Sequence, residues 1–179
     1  MTTTMRRILI LYSTVDGHTL RICERLREGA ALAGHEVALR DLDDSLGIDL
    51  VQHDRVVVGA SIRYGRHRPS VIDFMRARRA ELQVRRCAFF SVNIVARKEN
   101  KNAPDTNPYV KQFIRQVGWR PALLEVFAGR LDYPSCTFWD RQVIRFIMLL
   151  TRGPTDSAAV FEFTDWNRVE AFGRAIADL

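Results

Sequence analysis

Ser13-Thr14-Val15-Asp16-Gly17-His18-Thr19 sets three hydroxyls, a carboxylate, an imidazole and a glycine within seven consecutive residues. Before it runs Ile8-Leu9-Ile10-Leu11-Tyr12, which reads as a strand buried on both faces. After it Leu20, Cys23, Leu26, Ala30 and Ala33 recur at helical spacing. A helix that starts in a hydroxyl-rich turn traps anions. Its first N–H groups lack intrahelical partners, and its dipole leaves partial positive charge there. A plain strand-to-helix turn capped by Asp16 or Thr14 accounts for the same residues equally well.

Two further loops offer polar groups in comparable positions. Arg55-Val56-Val57-Val58-Gly59-Ala60-Ser61 is a second apolar strand, ending in Ser61-Ile62-Arg63-Tyr64-Gly65. Cys87-Ala88-Phe89-Phe90-Ser91-Val92 is a third, followed by Asn93 and a polar loop from Ala96 to Pro108. Between and after them the sequence predicts an edge-type strand over Glu36–Leu42, a polar link over Asp43–Asp54, and a helix with Pro69 in its first turn that continues through Val71–Leu82. A short helix over Tyr109–Val117, a strand over Leu123–Gly129 and a last helix over Trp166–Ala177, capped by Asp165 or Thr164, complete the set. Alternating strands and helices imply an α/β fold with a parallel sheet covered on both faces. Right-handed crossovers make it doubly wound, with five strands in the flavodoxin-like order. Ligands of such sheets sit beyond the carboxyl ends of the strands, so the three loops should converge.

Composition narrows the chemistry. The 179 residues, 47% hydrophobic and 27% charged, suit one soluble domain over 1–179 with an insertion at about 133–154. Cys23, Cys87 and Cys136 are widely spaced with no C-x-x-C, which argues against a disulfide framework. His18, His35, His53 and His67 lack ligand spacing, so no metal is expected. Residues 1–7 are short and polar and do not read as a signal peptide. No apolar run approaches the ~20 residues needed to span a bilayer. The net charge of +6 favours anionic partners: nucleic acid, lipid headgroups or an acidic small molecule.

The first loop lacks the Gly-Lys-Ser/Thr of a P-loop and the G-x-G-x-x-G of a dinucleotide site. Ala60-Ser61 stands where a receiver domain needs an acid. A monophosphate held by hydroxyls and helix N–H groups fits better, with a flat ring between the second and third loops against Tyr64. FMN is such a ligand.

Thr14-x-Asp16-Gly17-x-Thr19 resembles the flavodoxin phosphate loop, T-x-T-G-x-T. Val58-Gly59-Ala60-Ser61-Ile62-Arg63-Tyr64-Gly65, Ser91-Val92-Asn93-Ile94-Val95-Ala96-Arg97-Lys98 and Phe138-Trp139-Asp140-Arg141 are more specific. Together they resemble the flavodoxin-like family of bacterial quinone-dependent protoporphyrinogen IX dehydrogenases, from about Arg7 to Leu179. The resemblance implies an oxidoreductase of haem biosynthesis with bound FMN. Its substrate would be protoporphyrinogen IX and its electron acceptor menaquinone or ubiquinone. The expected FMN contacts are Ser13, Thr14, Val15, Asp16, Gly17, His18, Thr19, Ser61, Ile62, Arg63, Tyr64, Gly65, Ser91, Val92, Asn93 and Ile94. Asp16 departs from the pattern: it replaces a threonine hydroxyl, and a carboxylate aimed at phosphate would repel it. It is expected to cap the helix or face away.

Residues 138–152 are what a plain flavodoxin lacks. Thr137 with Asp140 resembles a capping box, and Gly153-Pro154 ends the run. On a helical wheel Arg141, Arg145 and Arg152 share one side, and Trp139, Val143, Phe146, Ile147 and Leu150 the other. Such a helix either packs on the sheet as core or meets lipid, quinone, substrate or another subunit. Arg63, Arg97, Trp139, Arg141, Arg145 and Phe146 are the candidate substrate or membrane contacts, the arginines because porphyrinogen propionates suit guanidinium groups. No side chain is singled out as a general acid or base. The expected location is cytoplasmic, at the face of the inner membrane, with no nucleic-acid partner and an oligomer allowed. An electron-carrier flavodoxin, a type usually acidic where this chain is +6, and an NAD(P)H-dependent quinone reductase are the competing readings.

Overall fold

Residues 4–44 and 47–179 are described by the computed structural model. The first three residues of the polar start and two residues of the Asp43–Asp54 link lie outside them. The apolar runs form parallel strands: β1 (Arg7–Ser13), β2 (Glu36–Asp41), β3 (Arg55–Ser61), β4 (Ala88–Val92) and β5 (Leu123–Phe127). Their order is β2-β1-β3-β4-β5, all parallel. Alternate residues enter opposite cores, as strand pleating requires. Leu9, Leu11, Val56, Val58 and Phe89 face one side, and Ile8, Ile10, Val57, Ala88 and Phe90 the other.

The second of these faces packs under α1 (His18–Leu32) and α6 (Trp166–Asp178), through Ile22, Leu26, Val169 and Phe172. The first packs under α2 (Pro69–Ala77), α3 (Arg79–Val84) and α4 (Pro108–Val117), through Val71, Met75, Leu82 and Phe113. Phe89 and Phe113 stack with ring centroids 3.7 Å apart.

Several boundaries differ from expectation. The helix expected to run unbroken from Pro69 to Leu82 breaks at Arg78, where φ is −100° and ψ 17°. Arg78 N–H donates to Phe74 O, and its guanidinium reaches Glu81 and the Ile48 carbonyl. The polar loop after β4 contains two short 3-10 turns, Ile94–Arg97 and Glu99–Lys101. An unforeseen antiparallel pair, β6 (Arg130–Asp132) with β7 (Val160–Glu162), frames the 133–154 segment.

Between them lies α5 (Phe138–Leu150), capped by Thr137, whose Oγ1 accepts from Asp140 N–H at 3.3 Å. Arg152 falls beyond this helix with φ +53°, so it does not extend the arginine row. The core-packing alternative for α5 fails: Met148 is its one buried residue. Ile144 joins it against Leu131, Tyr133 and Phe161. The apolar stripe of Trp139, Val143, Phe146, Ile147 and Leu150 is exposed.

Gly59 in β3 lies against Phe90 of β4. A Cβ there would stand 2.2 Å from Phe90 Cζ, and both neighbours are buried strand residues that cannot give way freely. Gly59→Ala is expected to lower unfolding free energy by about 1–3 kcal/mol through overpacking, measured by urea denaturation; an unchanged midpoint would contradict the packing described.

Candidate functional site

Strand register brings the three loops together. Ser13 pairs with Ala60, Ala60 with Ser91, Ser61 with Val92, and Val92 with Phe127. The β3 and β4 ends are tied by Ile62 N–H donating to Val92 O at 3.0 Å. The loops after β1, β3 and β4 therefore leave from adjacent points at one sheet edge.

In the first loop Gly17 is the N-cap of α1 with φ +76°, and no side chain caps the helix. The turn capped by Asp16 or Thr14 is thus excluded. Asp16 faces away: its carboxylate is largely exposed, 3.5 Å from Arg63. Thr19 and His18 are buried, and Ser13 with them. Among the described residues five buried side-chain polar atoms have no hydrogen-bond partner, and three are here: Thr14 Oγ1, His18 Nδ1 and Thr19 Oγ1. Buried polar groups are nearly always satisfied, so this concentration marks a place built for an outside partner. Two hydroxyl donors beside uncapped helix N–H groups suit an anion with several acceptor oxygens.

The second loop is a tight turn. Arg63 and Arg66 exchange backbone bonds at 3.0 and 3.3 Å, with Tyr64 and Gly65 between them at φ +49° and +77°. Positive φ is rare for tyrosine. Here it projects a phenol ring that is 77% exposed, with the Arg63 guanidinium 5.0 Å from its centroid.

The third loop is held from behind by a buried polar chain. His67 Nε2 meets Ser91 Oγ at 3.0 Å, and Asn93 Nδ2 donates to the same oxygen at 3.2 Å. Asn93 Oδ1 accepts from Ala96 N–H and from Asn107 Nδ2. Asn107, fully buried, also donates to Lys101 O and caps α4 by accepting from Tyr109 N–H at 3.0 Å. Burial pushes the His67 imidazole down to about 3, so it is neutral at ordinary pH.

The 133–154 segment is fastened to these loops at both ends of α5. Asp140 near the start of α5 accepts from Arg63 Nη2 and from Tyr64 OH, each at 3.3 Å. Arg97 Nη2 donates to Thr151 Oγ1 at 2.7 Å, and Nη1 to Ile94 O at 3.1 Å. Arg141 turns back to the carbonyls of Tyr133, Pro134 and Cys136. Arg145, Trp139 and Phe146 stay exposed. Ile94 packs at the edge of the small core under α5. Val15 is partly buried between Thr14 and Asp16.

Asn107, Asp140 and Thr164 have structural roles here that the sequence reading did not assign. Asn107 directly before Pro108 was a readable cap signal. The contacts of Asp140 with Tyr64 and of Thr164 with His18 span 76 and 146 residues, and no local pattern encodes them. A groove of about 530 Å³ between α1 and α6 shares no residue with the three loops, whereas three of the unpartnered buried atoms lie in the first of them.

Comparison with known proteins agrees with this architecture. A family model described as a flavodoxin domain matches residues 9–158. A Leishmania major protein named protoporphyrinogen IX dehydrogenase (quinone) is 41% identical over 177 residues, covering 97% of this chain and 75% of the relative. An Escherichia coli K12 protein of the same name is 38% identical over 173 residues, covering 97% and 96%. Oxidised flavodoxin 1 from Bacillus cereus superposes with a TM-score of 0.55 at 15% identity, covering 96% and 97%. That likeness is one of fold.

The neutral His67 makes stability depend on pH. Its folded value of about 3 lies below the ordinary 6.5, so below about pH 6.5 the unfolded chain binds a proton that the folded chain does not. Stability is therefore lost as pH falls, by up to ~1.4 kcal/mol per pH unit from this group. Urea denaturation at pH 7 and pH 5 should show a loss smaller by roughly 2 kcal/mol in His67→Gln than in the wild type; equal losses would contradict the assignment.

Proposed function

We infer the function from the chain's membership: it belongs to the flavodoxin family, among the quinone-dependent protoporphyrinogen IX dehydrogenases. It oxidises protoporphyrinogen IX to protoporphyrin IX with FMN as cofactor and passes the electrons to a quinone. When bound, FMN supplies the hydride-accepting ring; the chain supplies binding, orientation and access. The observation that carries the cofactor assignment is the set of unpartnered Thr14 and Thr19 hydroxyls beside the uncapped start of α1. These are donors, as a phosphate monoester requires, and the loop's own carboxylate, Asp16, is turned to Arg63.

The Ser61–Gly65 and Ser91–Ile94 loops would hold the flat ring, with Tyr64 as the exposed aromatic available to it. The His67–Ser91–Asn93–Asn107 chain keeps the inner loop in place without offering a charge. For the propionates, Arg63 is favoured over Arg97. The contacts of Arg63 with Asp16 and Asp140 are long, 3.5 and 3.3 Å, and exchange readily for a substrate carboxylate. Arg97 is committed to Thr151 and Ile94. Arg66 of the second loop and Arg145 of α5 are exposed cations.

α5 is the lipid-facing contact. No described helix is long and apolar enough to cross a membrane. Yet Trp139, Phe146 and Leu150 are exposed by 77%, 62% and 68% on one helix. An apolar stripe of this size, with Arg145 exposed on another side of the same helix, suits a helix lying in the headgroup boundary, where a quinone partitions. Its two ends are tied to the second and third loops, so a docked α5 holds the cofactor site at the membrane surface.

Purified protein mixed with protoporphyrinogen IX and a quinone should form fluorescent protoporphyrin, with no requirement for NAD(P)H. Turnover that needs NAD(P)H, or none with any quinone, would contradict the reading. Phe146→Ser with Ile147→Ser should reduce both liposome binding and quinone-dependent turnover; no change in either would remove α5 as an interaction surface. Thr14→Val with Thr19→Val should leave the flavin-free protein as stable as before, since those hydroxyls have no internal partner. FMN affinity should fall by roughly 1.5–3 kcal/mol per lost charge-assisted bond. An unchanged affinity in a fluorescence titration would refute the phosphate assignment.

A further inference from the structure

His18 has a determined tautomer. Thr164 Oγ1 donates its single proton to the Ala128 carbonyl at 2.7 Å. At the 2.6 Å contact between Thr164 Oγ1 and His18 Nε2, the imidazole N–H must therefore be the donor. In the neutral ring Nδ1 then carries a bare lone pair. That atom is buried and has no partner, on a residue 7% exposed. It belongs to the first residue of α1, in the same turn as the unpartnered hydroxyls of Thr14 and Thr19.

A lone pair at that point opposes an anion bound at the helix start. A proton on Nδ1 converts it into a donor. We propose that binding of the FMN phosphate is coupled to uptake of one proton from solvent at His18 Nδ1, making the imidazolium a phosphate ligand. The proposal rests on the FMN reading above and adds a chemical role for one residue within it.

The surroundings permit the switch. Glu162 of β7 is the acid facing His18, and it is paired with Arg21 of α1 at 2.9 Å. Arg130 of β6, the other nearby cation, is paired with Asp132 at 2.8 Å. Trp166 of α6 meets the ring edge-on, with centroids 6.1 Å apart. Burial holds the imidazole below its ordinary 6.5; Glu162 works against that, while Arg21 and Arg130 add to it. The ring is thus neutral near pH 7 in the flavin-free protein, and a phosphate dianion supplies the compensating charge that the neighbours lack. Linkage gives the sign: with a lower pKa free than bound, FMN affinity falls as pH rises between the two values, by up to about tenfold per pH unit.

The test is a calorimetric titration of flavin-stripped full chain with FMN at pH 7.5, in two buffers of different ionisation enthalpy. This counts the protons taken up. The phosphate monoester, with a second pKa of about 6, is already a dianion there. The wild type should take up more protons than His18→Gln, and riboflavin, which lacks the phosphate, should elicit no such difference. Imidazole nitrogen NMR shifts of the wild type need no variant. His18 should be the neutral Nε2–H form without flavin and doubly protonated with FMN bound. Equal proton uptake by wild type and variant, or a ring still neutral in the flavin-loaded protein, would overturn the proposal. It would leave the FMN reading standing, with a ribityl hydroxyl as the donor to Nδ1. A wild-type chain that binds no FMN would overturn both.

Discussion

A parallel sheet covered on both faces leaves its loops only two edges, and all the strands' carboxyl ends share one of them. That constraint arranges everything chemical in this molecule. Because β1, β3 and β4 are adjacent and parallel, Ser13, Ser61 and Val92 end side by side, and three loops distant in sequence become one surface. The two cores do no chemistry; they hold the register. A one-residue slip would turn Leu9 and Leu11 out of one core and Ile8 and Ile10 out of the other, and would also separate the loop ends.

At that edge the polar groups divide into two kinds. Those behind the third loop are internally satisfied: His67, Ser91, Asn93 and Asn107 bond to one another and to backbone. Those in the first loop are not: Thr14, His18 and Thr19 each hold an unpartnered buried atom. A satisfied network gives rigidity, and an unsatisfied one gives affinity for whatever completes it. The 133–154 segment adds a third element. α5 packs Met148 and Ile144 against the body and turns its apolar stripe outward, while Asp140 and Arg97 link its ends to the second and third loops.

The parts of this arrangement that were legible in the sequence are those with strong local causes. Fully buried runs such as residues 56–60 are unmistakable strands, and hydroxyls at three strand ends predict converging loops. The face partition of α5 was readable from its period. Its direction was not, because it depends on the Arg141 guanidinium finding three carbonyls of the 133–136 turn. β6 and β7, three residues each, are too short to carry a period. The helix break at Arg78 depends on contacts with Glu81 and the distant Ile48 carbonyl. The pairing of His18 with Thr164 joins the two ends of the chain, and only the closed fold reveals it.

The central claim is that the strand-end loops hold a flavin that takes electrons from a porphyrinogen and yields them to a quinone. The most direct measurement is anaerobic rapid mixing of the flavin-loaded protein with protoporphyrinogen IX, followed by addition of a quinone, with the visible flavin absorbance recorded throughout. The account predicts that the band bleaches on the first addition and returns on the second, with protoporphyrin formed. A flavin that stays oxidised in the presence of the porphyrinogen, yet bleaches with NAD(P)H, would contradict it.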